Sequence, residues 1–282
     1  MKARSRKLRN ATEKLVDFIS TTSALIGVLV LFWILYEVSH KGARALNMSF
    51  FTKLPTPPGI GGGGLANAIV GTALITLLAT LMGVTIGIFA GVFLAEFGKG
   101  TKLASTVRFT ANVLMGIPSI IIGVFVYTFM VMPVGHFSGY AGAVALAIIM
   151  LPVTARTTED ILSLVPNELR ECALAMGAPR WRVIFDVVFR SARTGLLTGV
   201  LLAVARVSGE TAPLLFTALN SPYFPKSLNE PTANLTVTIF NYAMSPYEDW
   251  QQTAWGASLL IMLGVLAVNL TTRFVFKGVN KS

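Results

Sequence analysis

Apolar residues in this chain come in long runs set apart by short polar segments. Six runs, over 18–38, 67–95, 112–132, 140–155, 194–219 and 253–276, are almost free of charge. At 1.5 Å rise per residue, about 20 such residues span the roughly 30 Å hydrocarbon layer of a bilayer. The pattern predicts an all-α, polytopic membrane protein with six transmembrane helices. The run over 140–155 is the shortest, and Pro152 interrupts it; Pro118 falls inside the run over 112–132. For each proline a kink satisfied by neighbouring helices is the simplest expectation. Gly83, Gly87 and Gly91 recur every fourth residue on one face, and Gly195 and Gly199 do the same, which suits close helix contact.

One segment breaks the apolar rhythm. Residues 156–193 form the longest charged stretch and sit between two spans. Pro166 and Asn167 suit a helix opening, Gly177 a stop, and Pro179 a second opening that predicts a helix to about Arg190. Leu169, Cys172, Ala173 and Met176 fall at i, i+3, i+4 and i+7, a short apolar face. Glu168, Arg170 and Glu171 lie off that face and keep it soluble. A helix of this kind either packs on its own chain or interface, or fills a groove in another protein.

Composition agrees with a membrane protein: 54% of residues are hydrophobic and 13% charged, against about 25% charged in soluble domains. The formal charge of +10 would suit nucleic acid, but the cations collect at span ends, as membrane topology requires, so no nucleic-acid partner is expected. With the N-terminus inside, 18 of the 23 Lys and Arg lie on the cytoplasmic side. Lys41, Arg44, Lys53 and Lys226 lie outside, and Arg206 lies within a span. The organisation expected is a basic cytoplasmic tail over 1–17, a six-span transmembrane domain over 18–276 with its cytoplasmic loop at 156–193, and a cytoplasmic end over 277–282. The first apolar run is too long for a signal peptide, although Ala43-Arg44-Ala45 mimics a cleavage site, so it reads as an uncleaved anchor. The single cysteine, Cys172, excludes an internal disulfide and a cysteine metal site. His40 and His136 stand alone, so no metal is expected. Residues 59–64 match a dinucleotide fingerprint formally, but they follow prolines rather than a strand and read as a flexible external loop. No Gly-x-x-x-x-Gly-Lys-Ser/Thr occurs, so any ATP that drives this chain is bound elsewhere.

Arg206 and Glu210 carry the sharpest chemistry. They stand four residues apart in AVARVSGETAP, within an apolar run. Counted from Thr194, Arg206 lies about 18 Å along the helix, near the midplane. A charge there faces a cavity or a partner. One possibility is a structural ion pair between the two. The other is an anion site on a transport path, where the planar guanidinium donates parallel hydrogen bonds to an oxyanion.

The run Glu171-Cys172-Ala173-Leu174-Ala175-Met176-Gly177 resembles the Glu-Ala-Ala…Gly loop of ABC importer permeases, with Cys172 in place of an alanine. LPVTARTTEDILSLVPNELRECALAMGAPRWRVIF, VLLAVARVSGETAPLLFTA, NAIVGT, GIPSIIIG and TVTIFNYAMSPYEDW are similar to the phosphate-specific branch of that family, over nearly everything after Asn67. Phe189-Arg190-Ser191 departs from the family's frequent Leu-Pro-Ala. The resemblance implies a type I importer permease fold and a non-catalytic role in importing inorganic phosphate by alternating access. It implies a heterodimer with a second permease, two ATP-binding cassette subunits that hold the ATP, and an extracytoplasmic phosphate-binding protein, all at a bacterial inner membrane. It places Leu169, Glu171, Cys172, Ala173, Met176 and Gly177 in ATPase coupling, and Arg206, Glu210 and Thr211 along the substrate path. A permease for another oxyanion is the nearest alternative. An ATPase-independent anion transporter would leave the helices of 166–188 unexplained, and an intramembrane enzyme would need nucleophiles or ligands that the chain does not bring together.

The charge asymmetry makes a direct prediction. Reporter fusions after Lys53 and Lys226 will register outside, and fusions after Lys102 and Gly177 inside. An external signal after Gly177 contradicts the topology.

Overall fold

A computed structural model describes residues 6–277; the tail ends at 1–5 and 278–282 lie outside the described residues. All regular structure among the described residues is helical. Five helices are long and apolar enough to cross a membrane: Thr12–Ala45, Ala66–Phe97, Gly139–Ser163, Arg180–Val207 and Glu248–Thr271. A bent pair, Lys102–Gly116 with Ser119–Val134, makes a sixth if its two halves count as one broken span rather than a re-entrant loop.

The chain begins with α1 (Arg6–Ala45), a single helix that continues well beyond the apolar run on both sides. Next come the short α2 (Met48–Thr52) and α3 (Ala66–Val92), which ends in a π-helical turn at Phe93–Phe97. Then α4 (Lys102–Gly116) and α5 (Ser119–Val126) meet at a 102° bend. The expected single span over 112–132 is therefore broken rather than kinked. The residue before a proline is pushed out of the helical region, and Ile117 (ψ 130°) and Pro118 (ψ 133°) are both extended. After α6 (Met132–Val134), Gly135 turns the chain at φ +82° into α7.

Helix α7 (Gly139–Ser163) corrects a second boundary. It passes straight through Pro152, so residues 156–163 of the charged segment are its last two turns and not a loop. Pro152 is buried among packed neighbours, which hold the helix together where the ladder bond is missing. The next helices are α8 (Asn167–Ala175), α9 (Arg180–Arg182) and α10 (Arg190–Val207). A π-helical stretch over Val183–Phe189 joins α9 to α10 without a break, so the fifth span starts at Arg180. It ends at Val207, not near Leu219: a turn over 208–211 precedes α11 (Ala212–Leu215), whose Pro213 cannot continue the ladder. The expected polar loop over 220–252 contains a largely buried helix, α12 (Leu235–Ala243), before α13 (Glu248–Lys277).

The bundle is assembled around α7, the most enclosed span, and its neighbours reach it through small residues. A Cβ at Gly83 would lie 3.0 Å from the Ala147 carbonyl oxygen, one at Gly87 2.7 Å from Thr154 Cβ, and one at Gly91 2.5 Å from Thr158 Cβ. These three glycines set α3 directly on α7. On another side, Gly195 faces Ile161 and Gly199 faces Thr157, which seats α10. The core follows from this contact: Ile75, Ala79, Ala143, Leu146, Met150, Ala203 and Val207 fill it. Helix α1 packs along α13, where Gly42 meets Leu259 and Trp255.

Because the α3–α7 contact leaves no room, Gly87→Val will destabilise the protein by about 1–3 kcal/mol through overpacking. Gly264→Ala, at a site with nothing within 4 Å, will be neutral or slightly stabilising. Thermal unfolding of the purified chain in detergent checks both.

Candidate functional site: a short helix and an exposed arginine

Helix α8 forms where its sequence stops allow nothing longer. Pro166, with extended backbone, opens it. Gly177 closes it at φ +82°, a conformation that costs a residue with a Cβ more than it costs glycine. The Gly177 N–H donates to the Leu174 carbonyl (2.9 Å) and the Ala178 N–H to the Ala173 carbonyl (3.2 Å), which is a Schellman termination.

The orientation of α8 divides the apolar face read from spacing. Leu169 (44% exposed), Cys172 and Met176 (82% exposed) face outward, together with Glu171. Ala173 does not: at 5% exposure it is buried where α8 packs on the Val183–Phe189 stretch. The residue assigned to a partner's surface instead seats the helix on its own chain. Arg170, three residues earlier, shares that inward side. It is not a solubilising surface charge either, because its Nη2 lies 2.7 Å from Glu96 Oε1 and both side chains are about nine-tenths buried. A second buried carboxylate lies nearby. Glu159 on α7 accepts from Arg108 Nε of α4 (2.6 Å) and Arg156 Nη1 (2.5 Å), and Arg108 also reaches the Leu94 carbonyl (3.2 Å). Sequence reasoning singled out neither carboxylate. Glu96 is 74 residues from its partner and Glu159 is 51 from Arg108, so no local spacing exposes the pairings.

Arg206 and Glu210 are not on one helix. Arg206 occupies the last turn of α10, and Glu210 follows in the turn over 208–211, where its carbonyl accepts from the Thr236 hydroxyl (2.9 Å). The i, i+4 ion pair therefore does not form, because Gly209 and the approach to Pro213 end the helix first. Among the described residues, the Arg206 guanidinium has no hydrogen-bond or ion-pair partner, and it is exposed on the surface of the single chain. It continues the line of Thr198 and Leu202 on the side of α10 turned away from the core. Thr211, half-buried, precedes α11. At the other end of α3 from Glu96, a cleft of about 570 Å³ lies between the Pro55–Pro58 loop, Asn67, Tyr223, Tyr242 and Trp250. It is lined by no charged side chain, so an anion entering it meets no counter-charge.

Residues 83–281 match the family described as binding-protein-dependent transport system inner membrane components. This chain belongs to that family. It is accordingly a multi-pass inner membrane protein and a permease of the ABC transporter class. Among curated relatives, the phosphate transport system permease protein PstA of Yersinia pestis is 45% identical over 95% of this chain and 91% of its own length. The PstA protein of Haemophilus influenzae is 48% identical over 95% of each. Among solved structures, a permease of the bacterial alginate ABC transporter, bound to a pentasaccharide-loaded periplasmic protein, superposes with a TM-score of 0.68. It covers 99% of both chains at 14% identity. The MetNI methionine ABC transporter in an inward-facing form gives 0.65 over 76% of this chain and 95% of the other, at 23% identity. These two matches establish the permease fold.

The orientation of α8 can be tested with the permease's only thiol. Cys172 will react freely with maleimide in the folded protein. A cysteine placed by Ala173→Cys in a Cys172→Ser background will react at least about tenfold more slowly, since a buried site reacts only on local opening. Equal rates contradict the inward seating of Ala173.

Proposed function

We propose that this chain is one of two membrane-spanning subunits of an ATP-driven importer of inorganic phosphate. The observation that carries the reading is Arg206, an arginine in the last turn of an apolar span with no partner among the described residues. Burying a lone charge in lipid is costly, so the exposed side of α10 belongs against a second permease subunit, with a water-filled path between the two. The guanidinium there offers phosphate a planar fork of donors. Glu210, on the turn after α10, repels phosphate if it faces the same path. It acts on Arg206 instead, engaging it in one state of the cycle and releasing it in another. Thr211 supplies a neutral hydroxyl to the same path. The full-length similarity to PstA permeases supports phosphate over other cargo.

The remaining parts follow from what the chain lacks and what it leaves exposed. The 282 residues contain no phosphate-binding loop, so two separate ATP-binding cassette subunits hold the ATP, and this chain catalyses nothing and carries no cofactor of its own. The outward residues of α8, namely Leu169, Glu171, Cys172 and Met176, present a small apolar surface with one carboxylate for a cleft in one ATPase. Both termini and α8 face the cytoplasm. An extracytoplasmic binding protein delivers phosphate at the opposite end, and ATP-driven closure of the ATPases switches the path from outward- to inward-open.

The test is uptake of radiolabelled phosphate by the reconstituted complex, with sulfate and molybdate as competitors. Uptake that sulfate suppresses as well as phosphate does would favour the broader oxyanion reading. Within that assay Arg206→Lys keeps the charge and loses the fork. A charge-assisted hydrogen bond is worth about 1.5–3 kcal/mol, so uptake should fall about 10- to 100-fold while complex yield is kept. Undiminished uptake in Arg206→Lys would remove Arg206 from the path.

A further inference from the structure

The guanidinium of Arg170 is fully committed. Its Nε lies 3.2 and 3.3 Å from the two oxygens of Glu96, and its Nη2 lies 2.7 Å from Glu96 Oε1 and 2.8 Å from the Leu162 carbonyl. Its Nη1 donates to the Val165 carbonyl (2.5 Å), with the Pro166 carbonyl and Asn167 Oδ1 at 3.4 Å. Every face of one planar group is thus in use. Three elements meet on it: α8, which carries Arg170; the π-helical turn that ends α3, which carries Glu96; and the last turn of α7, whose carbonyl groups it caps. A cation at a helix C-terminus satisfies carbonyls that the helix cannot and complements its dipole. A single surface ion pair would stabilise little. Here both side chains are about nine-tenths buried, so neither can leave without stranding the other.

The connection also leads somewhere. Helix α7 carries α10 through Ile161 and Thr157, which meet Gly195 and Gly199, and α10 carries Arg206. A displacement of α8 passes through Arg170 to the ends of α3 and α7, and from α7 to the helix that bears the arginine of the transport path. We propose that the Arg170–Glu96 fork is the strut that transmits movement of α8 to the membrane helices, and that Arg170 is a positioning residue for import. This rests on the importer reading above. Lysine cannot replace arginine in such a strut, because one ammonium cannot span the carboxylate and the carbonyl oxygens of Leu162 and Val165 together.

The experiment uses the complete complex reconstituted with its ATPases and binding protein. Four quantities are read: complex yield, unstimulated ATP hydrolysis, hydrolysis stimulated by the loaded binding protein, and phosphate uptake. The variants are Arg170→Lys and the double change Arg170→Met with Glu96→Met. The double change leaves no lone buried charge and so guards against misfolding. Both should assemble and hydrolyse ATP without stimulation as the unaltered complex does. Stimulation and uptake should each fall at least about fivefold, since neither variant restores the fork. Stimulation and uptake at unaltered levels overturn the strut, and so does a complex yield that falls in step with uptake, because the pair is then only scaffold. If the unaltered complex responds to its binding protein yet moves no phosphate, the phosphate reading has failed, and the stimulation ratio of the variants still decides the strut.

Discussion

Helix α7 can serve as the axis of this bundle because its neighbours meet it through glycines at the closest points of contact. In a membrane there is little hydrophobic drive between helices, so association depends on close van der Waals fit. Gly83, Gly87 and Gly91 of α3 lie against Ala147, Thr154 and Thr158, and Gly195 and Gly199 of α10 lie against Ile161 and Thr157. These contacts fix how α3 and α10 stand relative to each other. They therefore also fix where Glu96 and Arg206, near the ends of those helices, are presented. A fit this close leaves the helices little room to bend at the contact.

The charges of the chain divide according to that frame. At the α8 end, Glu96 is paired with Arg170 of α8, and Glu159 with Arg108 of α4 and Arg156 of its own helix, and the cross-element pairs tie α3, α4, α7 and α8 together. Further along, Arg206 has no partner among the described residues and lies on the side of α10 that the core does not need. Arg108, Arg156 and Arg170 are consumed by the fold, whereas Arg206, inside an apolar run, is not. In an apolar span, water in a path, another chain or a ligand must satisfy a charge that the fold leaves unpaired.

Much of this was legible in the sequence. The spans follow from uncharged runs, the glycine contacts from fourfold spacing, and the limits of α8 from Pro166, Gly177 and Pro179, since each is a local rule. Boundaries that depend on tertiary support were not legible. Pro118 and Pro152 obey the same local chemistry, yet the exposed Pro118 breaks its helix and the buried Pro152 does not. The direction of α8 was also hidden. Its apolar spacing counted Ala173 with Leu169, Cys172 and Met176, while the buried ion pair at Arg170, set by Glu96 far upstream, turned Ala173 inward. Likewise Arg206 and Glu210 had the spacing of a helical pair, but Gly209 and Pro213 ended the helix between them.

The central claim is that the side of α10 bearing Arg206 lines water between two subunits rather than facing lipid. Substituted-cysteine labelling tests it directly: Leu202→Cys in a Cys172→Ser background, within the assembled complex in membranes, treated with a charged thiol reagent that does not enter lipid. Labelling that changes when ATP hydrolysis is arrested is the predicted result, because position 202 lies one turn from Arg206 on the same side of the helix. A thiol at 202 that stays inert in a complex that transports would place that side in lipid and contradict the account.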